Sequence, residues 1–352
     1  MPALVEKELV DFDRLSDWMQ AQGLPSEGAF ENQRLLTGGT QNILLYFERG
    51  GRPFVLRRPP KHLRASSNKV MMREARILQA LTGSGIPHPG YIAHCEDESI
   101  LGAAFFLMEP VEGFNPSTGM PEPHRSDATI RRRMSECHME ALAKLGMLDY
   151  TSLGLDGFGK PEGFLQRQPA RWRGELESFY ELEGYGDSPL PYQQEIYDWL
   201  ENNIPAATTP GIIHGDAHMA NTMTNNDNGE LAALIDWEMS TIGDPLIDLG
   251  WVMATSDDGD GFTTTNIEPA DGFLSIAEMV AHYGKHSSRD LTSLQWYAVL
   301  ACYKLGIILE GTHARACAGK ADKAMGDHLH GLTLTLFNRA HRWIAQGIPT
   351  QV

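Results

Sequence analysis

The sequence predicts an α+β fold in which a small antiparallel β-sheet lobe precedes a larger, mainly helical lobe. Strand-like runs and turn signals fill the first third of the chain, whereas helical periods dominate beyond residue 126. The length of 352 residues, with 42% hydrophobic and 21% charged residues, is enough for two such lobes. We therefore divide the chain into an N-terminal lobe, residues 1–113, and a C-terminal lobe, residues 114–352.

The N-terminal lobe is predicted to begin with an amphipathic helix over residues 11–22, which Gly23 and Pro25 end. Two strands follow, at residues 34–48 and 53–57, joined by a turn at Arg49-Gly50-Gly51-Arg52. A helical period then predicts a second helix over residues 68–81. Further strands are expected at residues 91–94 and 105–109, before the flexible turn that ends in Gly113.

The C-terminal lobe is predicted to contain helices at residues 128–148, 192–202, 273–283, 291–316 and 323–345. Two short apolar runs, residues 211–213 and 231–235, interrupt this pattern. Each run is predicted to be a short strand with a polar cluster at its end. The cluster after residues 211–213 begins with His214, and the cluster after residues 231–235 begins with Asp236. Residues 256–266 are polar and glycine-rich, and we interpret them as a surface loop without chemistry.

The charge and cysteine content exclude several classes of protein. A net charge of -17 makes nucleic acid an improbable partner, because such partners are bound through basic surfaces. Four widely spaced cysteines indicate a reducing compartment without a disulfide framework. The N-terminus has no signal-peptide pattern, and no stretch approaches the ~20 apolar residues of a membrane span. We expect a cytoplasmic protein, either a monomer or a homodimer, that does not bind membranes.

The polar loop after residue 213 has the spacing of a phosphoryl-transfer site. Asp216 precedes Asn221 by five residues, as in a kinase catalytic loop, and Asp236 follows the next apolar run. This chemistry needs a carboxylate to receive the proton of the acceptor hydroxyl, and oxygen ligands to hold Mg²⁺ on ATP. We assign the first role to Asp216 and the second to Asn221 and Asp236. His214 is interpreted as a residue that orders the loop.

Two motifs carry a resemblance to a known family. They read HGDAHMAN, from His214, and LIDWEMSTIGDPLIDLG, which contains Asp236. They resemble the aminoglycoside phosphotransferase superfamily, which includes choline kinase-like proteins. The segments FVLRRPP and QWYAVLACYKLGIILEGTHARACAG are similar to the branch attached to acyl-CoA dehydrogenases. The resemblance covers roughly residues 35–336 and implies a protein kinase-like bilobal fold, with Asp248 supporting the catalytic loop.

The nucleotide is expected to bind in the N-terminal lobe. Residues 36–42 would cover its phosphates with backbone amides, with Gly38, Gly39, Thr40 and Asn42 as the contacts. Arg57 stands where the wider family has a lysine, and Glu74 on the next helix is its expected ion-pair partner. Arginine keeps the charge but differs from lysine in shape. Adenine is expected to bond to the interlobe backbone, at Glu109 and Val111.

The acceptor is the least determined part of the prediction. Glu238, Glu310 and Arg315 are the candidate substrate contacts, each also compatible with a structural role. We weigh a hydroxylated acyl or other small metabolite first, and an aminoglycoside or choline-like acceptor second. A nucleotide-binding pseudokinase is a third possibility, supported only by Arg57. A metal-dependent hydrolase using His214, Asp216 and His218 is a fourth, and it would act without ATP.

Overall fold

The computed structural model describes residues 10–36, 42–60, 65–186, 190–263 and 267–349. A five-stranded antiparallel sheet forms the N-terminal lobe, in the order β1-β2-β3-β5-β4. Its strands are β1 (Glu31–Leu35), β2 (Ile43–Arg49), β3 (Arg52–Arg58), β4 (Tyr91–Cys95) and β5 (Phe105–Met108). The antiparallel sheet predicted for this part of the chain is confirmed.

The hairpin between β2 and β3 turns at the predicted glycine pair. Gly50 and Gly51 have φ angles of 57° and 72°, in a region that favours glycine because it has no Cβ. The prediction of one strand over residues 34–48 was wrong, because this run holds two antiparallel strands with Leu35 opposite Leu45. Only Leu35 in β1 is apolar and the strand is largely exposed, so apolar periodicity does not separate it from β2.

Helices α1 (Phe12–Ala21), α2 (Ser67–Leu81) and α3 (Glu98–Leu101) flank the sheet. Asp11 caps α1 by accepting a hydrogen bond from the backbone N–H of Arg14, at 3.1 Å. On the inner face of α1, Trp18 packs edge-on against Phe105 of the sheet, with ring centroids 4.8 Å apart. The buried face of α2 includes Glu74 among apolar side chains, so a carboxylate is carried into the lobe interior.

The C-terminal lobe is mainly helical, as predicted. Two of its helices, α5 and α7, were not predicted. In α5, Trp172, Leu176 and Phe179 lie at i, i+4 and i+7, a short helical period that the sequence reasoning missed. Helix α7 is apolar almost all round and therefore shows no amphipathic period. The helices are α4 (Ala128–Met147), α5 (Gln168–Phe179), α6 (Gln193–Asn202), α7 (Leu246–Thr255), α8 (Ile276–His286), α9 (Leu294–Cys317) and α10 (Lys323–Gln346).

Two short ribbons interrupt the helices and position the polar clusters. In one, β6 (Gly211–Ile213) pairs with β9 (Thr241–Gly243); in the other, β7 (Thr222–Thr224) pairs with β8 (Leu231–Leu234). The backbone N–H of Ile235 also donates to the carbonyl of Asn221 at 2.9 Å. The ends of the two predicted apolar runs therefore lie side by side, which brings the segment after His214 next to Asp236.

The polar segment after α7 is held by the last helix. Asp260 accepts hydrogen bonds from the fully buried guanidinium of Arg339, and Asp258 accepts one from Trp343 Nε1 at 2.9 Å. Phe262 in the same segment is buried. The described part of the predicted surface loop is thus anchored to α10. Among the described residues, no helix is both long and apolar enough to cross a bilayer.

Candidate active site

The loop after β6 is held by one buried carboxylate. Asp248, in the first turn of α7, accepts hydrogen bonds from the backbone N–H groups of His214, at 2.7 Å, and Gly215, at 2.9 Å. Burial raises the pKa of Asp248 to about 6. Gly215 has a φ of 91°, and a Cβ there would lie 2.5 Å from the carbonyl oxygen of Met239. Only glycine fits this turn, which directs the next residue, Asp216, outward.

His214 supports the loop as a neutral side chain. Its Nε2 donates to the carbonyl oxygen of Ile235 at 3.0 Å, and its ring lies 4.6 Å from that of Trp237. Burial lowers the pKa of His214 to about 4, so the ring is uncharged at neutral pH. Because its partner is a backbone carbonyl and the ring is enclosed, His214 links two loops and is not placed to transfer a proton.

Asp216 is oriented by side chains from three directions. Trp251 Nε1 donates to Oδ1 at 3.0 Å, the Asn221 amide donates to Oδ2 at 2.9 Å, and His218 Nε2 lies 3.3 Å from Oδ1. Burial alone would raise its pKa, but the hydrogen-bond contacts with His218 and Trp251 bring the pKa of Asp216 to about 2. An ionised, fixed carboxylate is therefore presented at neutral pH.

A four-residue charge cluster lies on the other side of the cleft. Arg57 on β3 places Nε 2.8 Å from Glu74 Oε2 and Nη2 2.7 Å from Asp236 Oδ1, with Glu238 Oε2 at 3.9 Å. Burial opposes the charge of Arg57, but the surrounding carboxylates raise its pKa, so it stays protonated. The guanidinium contacts Glu74 and Asp236 through two different nitrogens. A lysine has only one nitrogen, so it would have to contact both carboxylates from a single position.

The donor set beside Asp216 fits a magnesium ion. Asn221 donates both of its hydrogen bonds to Asp216 through its amide nitrogen, which leaves carbonyl Oδ1 as a potential ligand. Asp236 Oδ1 is paired with Arg57, and Oδ2 remains as a potential metal ligand. The Asp236 side chain is 38% exposed. Burial and the charge of Asp236 raise the pKa of Glu238. Burial raises the pKa of Glu74 to about 7, but Asp236 and Glu238 still outnumber Arg57, and a divalent cation would balance this negative excess.

The expected nucleotide contacts are only partly within the described structure. Gly38, Gly39 and Thr40 lie outside the described residues. Asn42 donates to Glu238 Oε2 at 3.3 Å, which ties the start of β2 to the charge cluster. At the end of β5, the backbone N–H of Glu109 donates to the carbonyl of Gly90 at 2.7 Å, so only its carbonyl remains for adenine.

A cavity of about 270 Å³, here named the basic cavity, opens on the Trp251 side of Asp216. It lies between α5, α7, α9 and the β9 segment. Lys304 is half-buried in its wall, with Nζ 4.1 Å from the centre of the Trp251 ring. Burial lowers the pKa of Lys304 to about 8. Three cations and one acid are part of the lining: Arg73, Arg171, Lys304 and Glu238.

A second cavity, of about 380 Å³ and here named the acidic cavity, opens on the His218 side. It lies between α4, α7, α8 and the segments that join α7 to α8. Its described lining contains three carboxylates and no lysine or arginine: Asp257, Glu268 and Glu278. Each cavity thus includes one residue in contact with Asp216, and the two cavities have opposite charge.

Two predicted acceptor contacts lie elsewhere. Glu310 is buried, accepts a hydrogen bond from Tyr185 at 2.8 Å, and lines neither cavity. Arg315 bonds to Thr312 at 2.9 Å within its own helix. Glu310 stands six residues, about 9 Å, beyond Lys304 along α9, which explains why it misses the cavity. Of the three predicted acceptor contacts, only Glu238 lines a cavity next to Asp216.

Trp251 and Lys304 are site residues that the sequence reasoning missed. Trp251 follows Asp248 by three positions, so both project toward the loop from the same side of α7. Lys304 is a single cation inside an apolar helical run, from Ala298 to Ile308. A charged side chain in such an apolar run is rarely buried without a partner. This isolated charge was the sequence signal that could have identified Lys304.

Comparison with known proteins agrees with this geometry. A model described as the phosphotransferase enzyme family matches residues 32–288. Acyl-CoA dehydrogenase family member 11 of Gallus gallus is 28% identical over 299 residues, which are 82% of this chain but 37% of that protein. The chain therefore spans little more than a third of the length of this relative. The predicted likeness to the acyl-CoA dehydrogenase-associated branch is confirmed.

Two solved structures share the fold. A candidate aminoglycoside phosphotransferase from Ralstonia eutropha JMP134 is 26% identical, with a TM-score of 0.77 over 94% of this chain and 98% of the other. Aminoglycoside 2'-phosphotransferase-IIIa, solved with GDP, is 16% identical, with a TM-score of 0.60 over 92% and 98% of the two chains. At 16% identity, this similarity shows only that the two chains share a fold. The protein kinase-like fold is confirmed, and the chain belongs to the phosphotransferase enzyme family of small-molecule phosphotransferases with hydroxyl acceptors.

Proposed function

We propose that this chain transfers the γ-phosphate of ATP to a hydroxyl group of a small metabolite, with Asp216 as the base. The observation that carries the proposal is the ionised Asp216 carboxylate, fixed by Trp251 and Asn221 between two cavities. Asn221 and Asp236 would hold magnesium, which neutralises the nucleotide phosphates when bound. The GDP complex of the aminoglycoside 2'-phosphotransferase supports a nucleotide site in this fold.

In the proposed reaction the acceptor oxygen attacks the γ-phosphorus while the bond to the β,γ-bridging oxygen breaks. The hydroxyl proton passes to Asp216, and ADP leaves with the bond electrons. A carboxylate with a pKa of about 2 is a weak base, so Asp216 receives the proton late, after bond formation has acidified the hydroxyl. Its main contribution is then to orient the acceptor, which the three fixed contacts of Asp216 allow.

We propose a hydroxylated acid or acyl compound as the acceptor. The basic cavity adjoins Asp216 through Trp251, and its three cations against one acid suit a carboxylate or phosphate group on the acceptor. Trp172 and Trp251 in its wall suit an apolar carbon chain. The name of the chicken relative, an acyl-CoA dehydrogenase family member, agrees with an acyl-type acceptor.

An aminoglycoside or choline-like acceptor is the second candidate, and the acidic cavity favours it. Glu278 is paired with Arg132 at 2.9 Å, but Asp257 and Glu268 suit an amine or quaternary ammonium. A third candidate, a nucleotide-binding pseudokinase, takes its support from Arg57, which is bonded to the carboxylate expected to bind magnesium.

The test is magnesium-dependent ATP consumption with hydroxylated carboxylates and acyl thioesters, compared with aminoglycosides and choline. Lys304→Gln removes a cation from the basic cavity, and Glu268→Gln removes an acid from the rim of the acidic one. For an anionic acceptor we expect KM to rise about tenfold in Lys304→Gln and to stay unchanged in Glu268→Gln, because a hydrogen bond to a charged group contributes about 1.5 kcal/mol.

The reverse pattern, with amines as substrates and only Glu268→Gln impaired, would show that the acidic cavity receives the acceptor. ATP binding without turnover of any acceptor would favour the pseudokinase. Turnover that needs no ATP would contradict the phosphotransferase proposal as a whole.

A further inference from the structure

A cluster of metal-ligating side chains lies between α9 and α10, apart from the two cavities. Three of its members lie on one face of α9, because they are three and four residues apart: Glu310, His313 and Cys317. His330 reaches the same point from α10. One ligand atom each of Glu310, His313 and His330 lies within 4.8 Å of the other two.

Two ligand pairs in this cluster have separations close to those of ligands on one metal ion, and Cys317 would turn from His313 toward the other two ligands when the ion binds. His313 Nε2 is 3.5 Å from Cys317 Sγ, and His330 Nδ1 is 2.9 Å from Glu310 Oε2. Bond lengths of about 2.05 Å to nitrogen and 2.3 Å to sulfur place N and S about 3.6 Å apart in a tetrahedral zinc site. The nitrogen–sulfur pair already has this separation, and the nitrogen–oxygen pair would open by about 0.5 Å.

The surroundings have the features of an outer coordination shell. Asp327 Oδ1 lies 3.6 Å from His313 Nδ1, on the side of the ring away from Cys317. Metal-bound histidines commonly donate their second N–H to a carboxylate in this way. Tyr185 donates to Glu310 Oε1 at 2.8 Å, and His330 Nδ1 lies 3.0 Å from Oε1 and 2.9 Å from Oε2. Glu310 is only 1% exposed, so its charge is held in the interior beside these ligands.

The other histidine–carboxylate cluster of the described residues lacks these properties. It consists of Glu140, His282 and His286. There Arg133 Nη1 lies 2.6 Å from Glu140 Oε1, so an arginine already balances the carboxylate and would repel a cation. It also has no thiol. In the α9–α10 cluster the nearby lysine, Lys323, pairs with Asp327 instead of with a ligand.

We propose that Glu310, His313, Cys317 and His330 bind one Zn²⁺ ion that clamps α9 to α10. A carboxylate, a thiolate and two neutral imidazoles form a set of four oxygen, sulfur and nitrogen donors, and their two negative charges balance the ion. The thiol of Cys317 releases its proton to solvent when the metal binds. The proposal is independent of the proposed phosphotransfer, because none of these residues lines either cavity.

The experiment uses the full chain, freed of metal by dialysis against a chelator. Zinc is titrated by calorimetry, and Co²⁺ is added separately as a spectroscopic substitute. We expect one Zn²⁺ per chain, and a near-ultraviolet thiolate-to-cobalt band that Cys317→Ser abolishes. Zinc affinity should fall at least tenfold in His330→Asn, which removes a ligand. It should fall about tenfold in Asp327→Asn, because loss of an outer-shell partner weakens metal binding by about this factor.

His286→Asn is the matched control, since it removes a histidine from the other cluster and should leave zinc binding unchanged. Cys317 is exposed, so Cys317→Ser is expected to fold normally, which circular dichroism checks. Zinc binding that survives both Cys317→Ser and His330→Asn would overturn the proposal. So would the absence of a thiolate band, or loss of binding in His286→Asn alone.

Discussion

Asp216 and Asp236 are carboxylates of one cleft with opposite surroundings. Asp216 is bonded to neutral donors, the indole of Trp251 and the amide of Asn221, and it stays free of lysine and arginine contacts among the described residues. Asp236 is paired with Arg57, which also binds Glu74. Asp216, the proposed base, is thus fixed by neighbouring side chains alone, whereas the proposed nucleotide side has an arginine built into it. The proposed role of Asp216 therefore follows more directly from its contacts than the strength of nucleotide binding beside Asp236 does.

The largest effect is expected for Asp216→Asn. The amide is nearly the same shape but cannot accept the hydroxyl proton, so we expect kcat to fall by about 10³-fold while nucleotide affinity is retained. Steady-state ATP consumption and nucleotide titration measure the two quantities. Turnover unchanged by the substitution would remove Asp216 from the role of base.

Asp236→Ala tests the other carboxylate. It removes an expected magnesium ligand and frees Arg57 to move, so we expect turnover to fall on the order of 10²-fold, with weaker magnesium–nucleotide binding. Activity measured against magnesium concentration checks this. A metal dependence and rate like those of the unaltered chain would show that Asp236 serves only as the partner of Arg57.

The loop that holds Asp216 gives a prediction about stability and pH. The folded-state pKa of Asp248 is about 6 against an ordinary 3.8, so the folded chain binds this proton more tightly than the unfolded chain. The resulting stabilisation is present below pH about 4 and is lost as the pH rises through 6, on the order of 3 kcal/mol. Comparing urea unfolding of the chain with that of Asp248→Asn isolates it.

The difference in unfolding free energy between the chain and Asp248→Asn should therefore shrink from pH 4.5 to 7.5. A difference that does not change over this range would mean that Asp248 titrates normally and that its two backbone bonds fully offset its burial.

The smallest effect is expected for Arg57→Lys. A lysine keeps the charge but cannot bond to Glu74 and Asp236 through separate nitrogens, so Asp236 becomes freer to bind metal. We expect activity to be partly retained or to rise, with a change in KM for ATP of less than about tenfold. Both kinetic constants, measured beside Arg14→Lys on the surface of α1 as a control, test this. Identical constants would place Arg57 outside the nucleotide site.

Local signals in the sequence predicted β2 to β5 and most helices, because spacing and turn residues act over a few positions, but they merged β1 with β2. They failed where the determinant was distant. The Arg57–Asp236 pair joins residues 179 positions apart, and the Lys304 cavity wall depends on how α9 packs against α7. Helix α7 was missed because burial on all sides removes its period.

Asp216, the proposed base, lies between two cavities of opposite charge, and this placement bears on how the chain could acquire new acceptors. Helices α5 and α9 contribute part of the wall of the basic cavity, and helices α4 and α8 part of the wall of the acidic cavity. Substitutions on these four helices leave the bonds of Asp248 to the loop untouched. Acceptor preference can therefore drift by mutation, or be redesigned, while the transfer machinery is inherited unchanged.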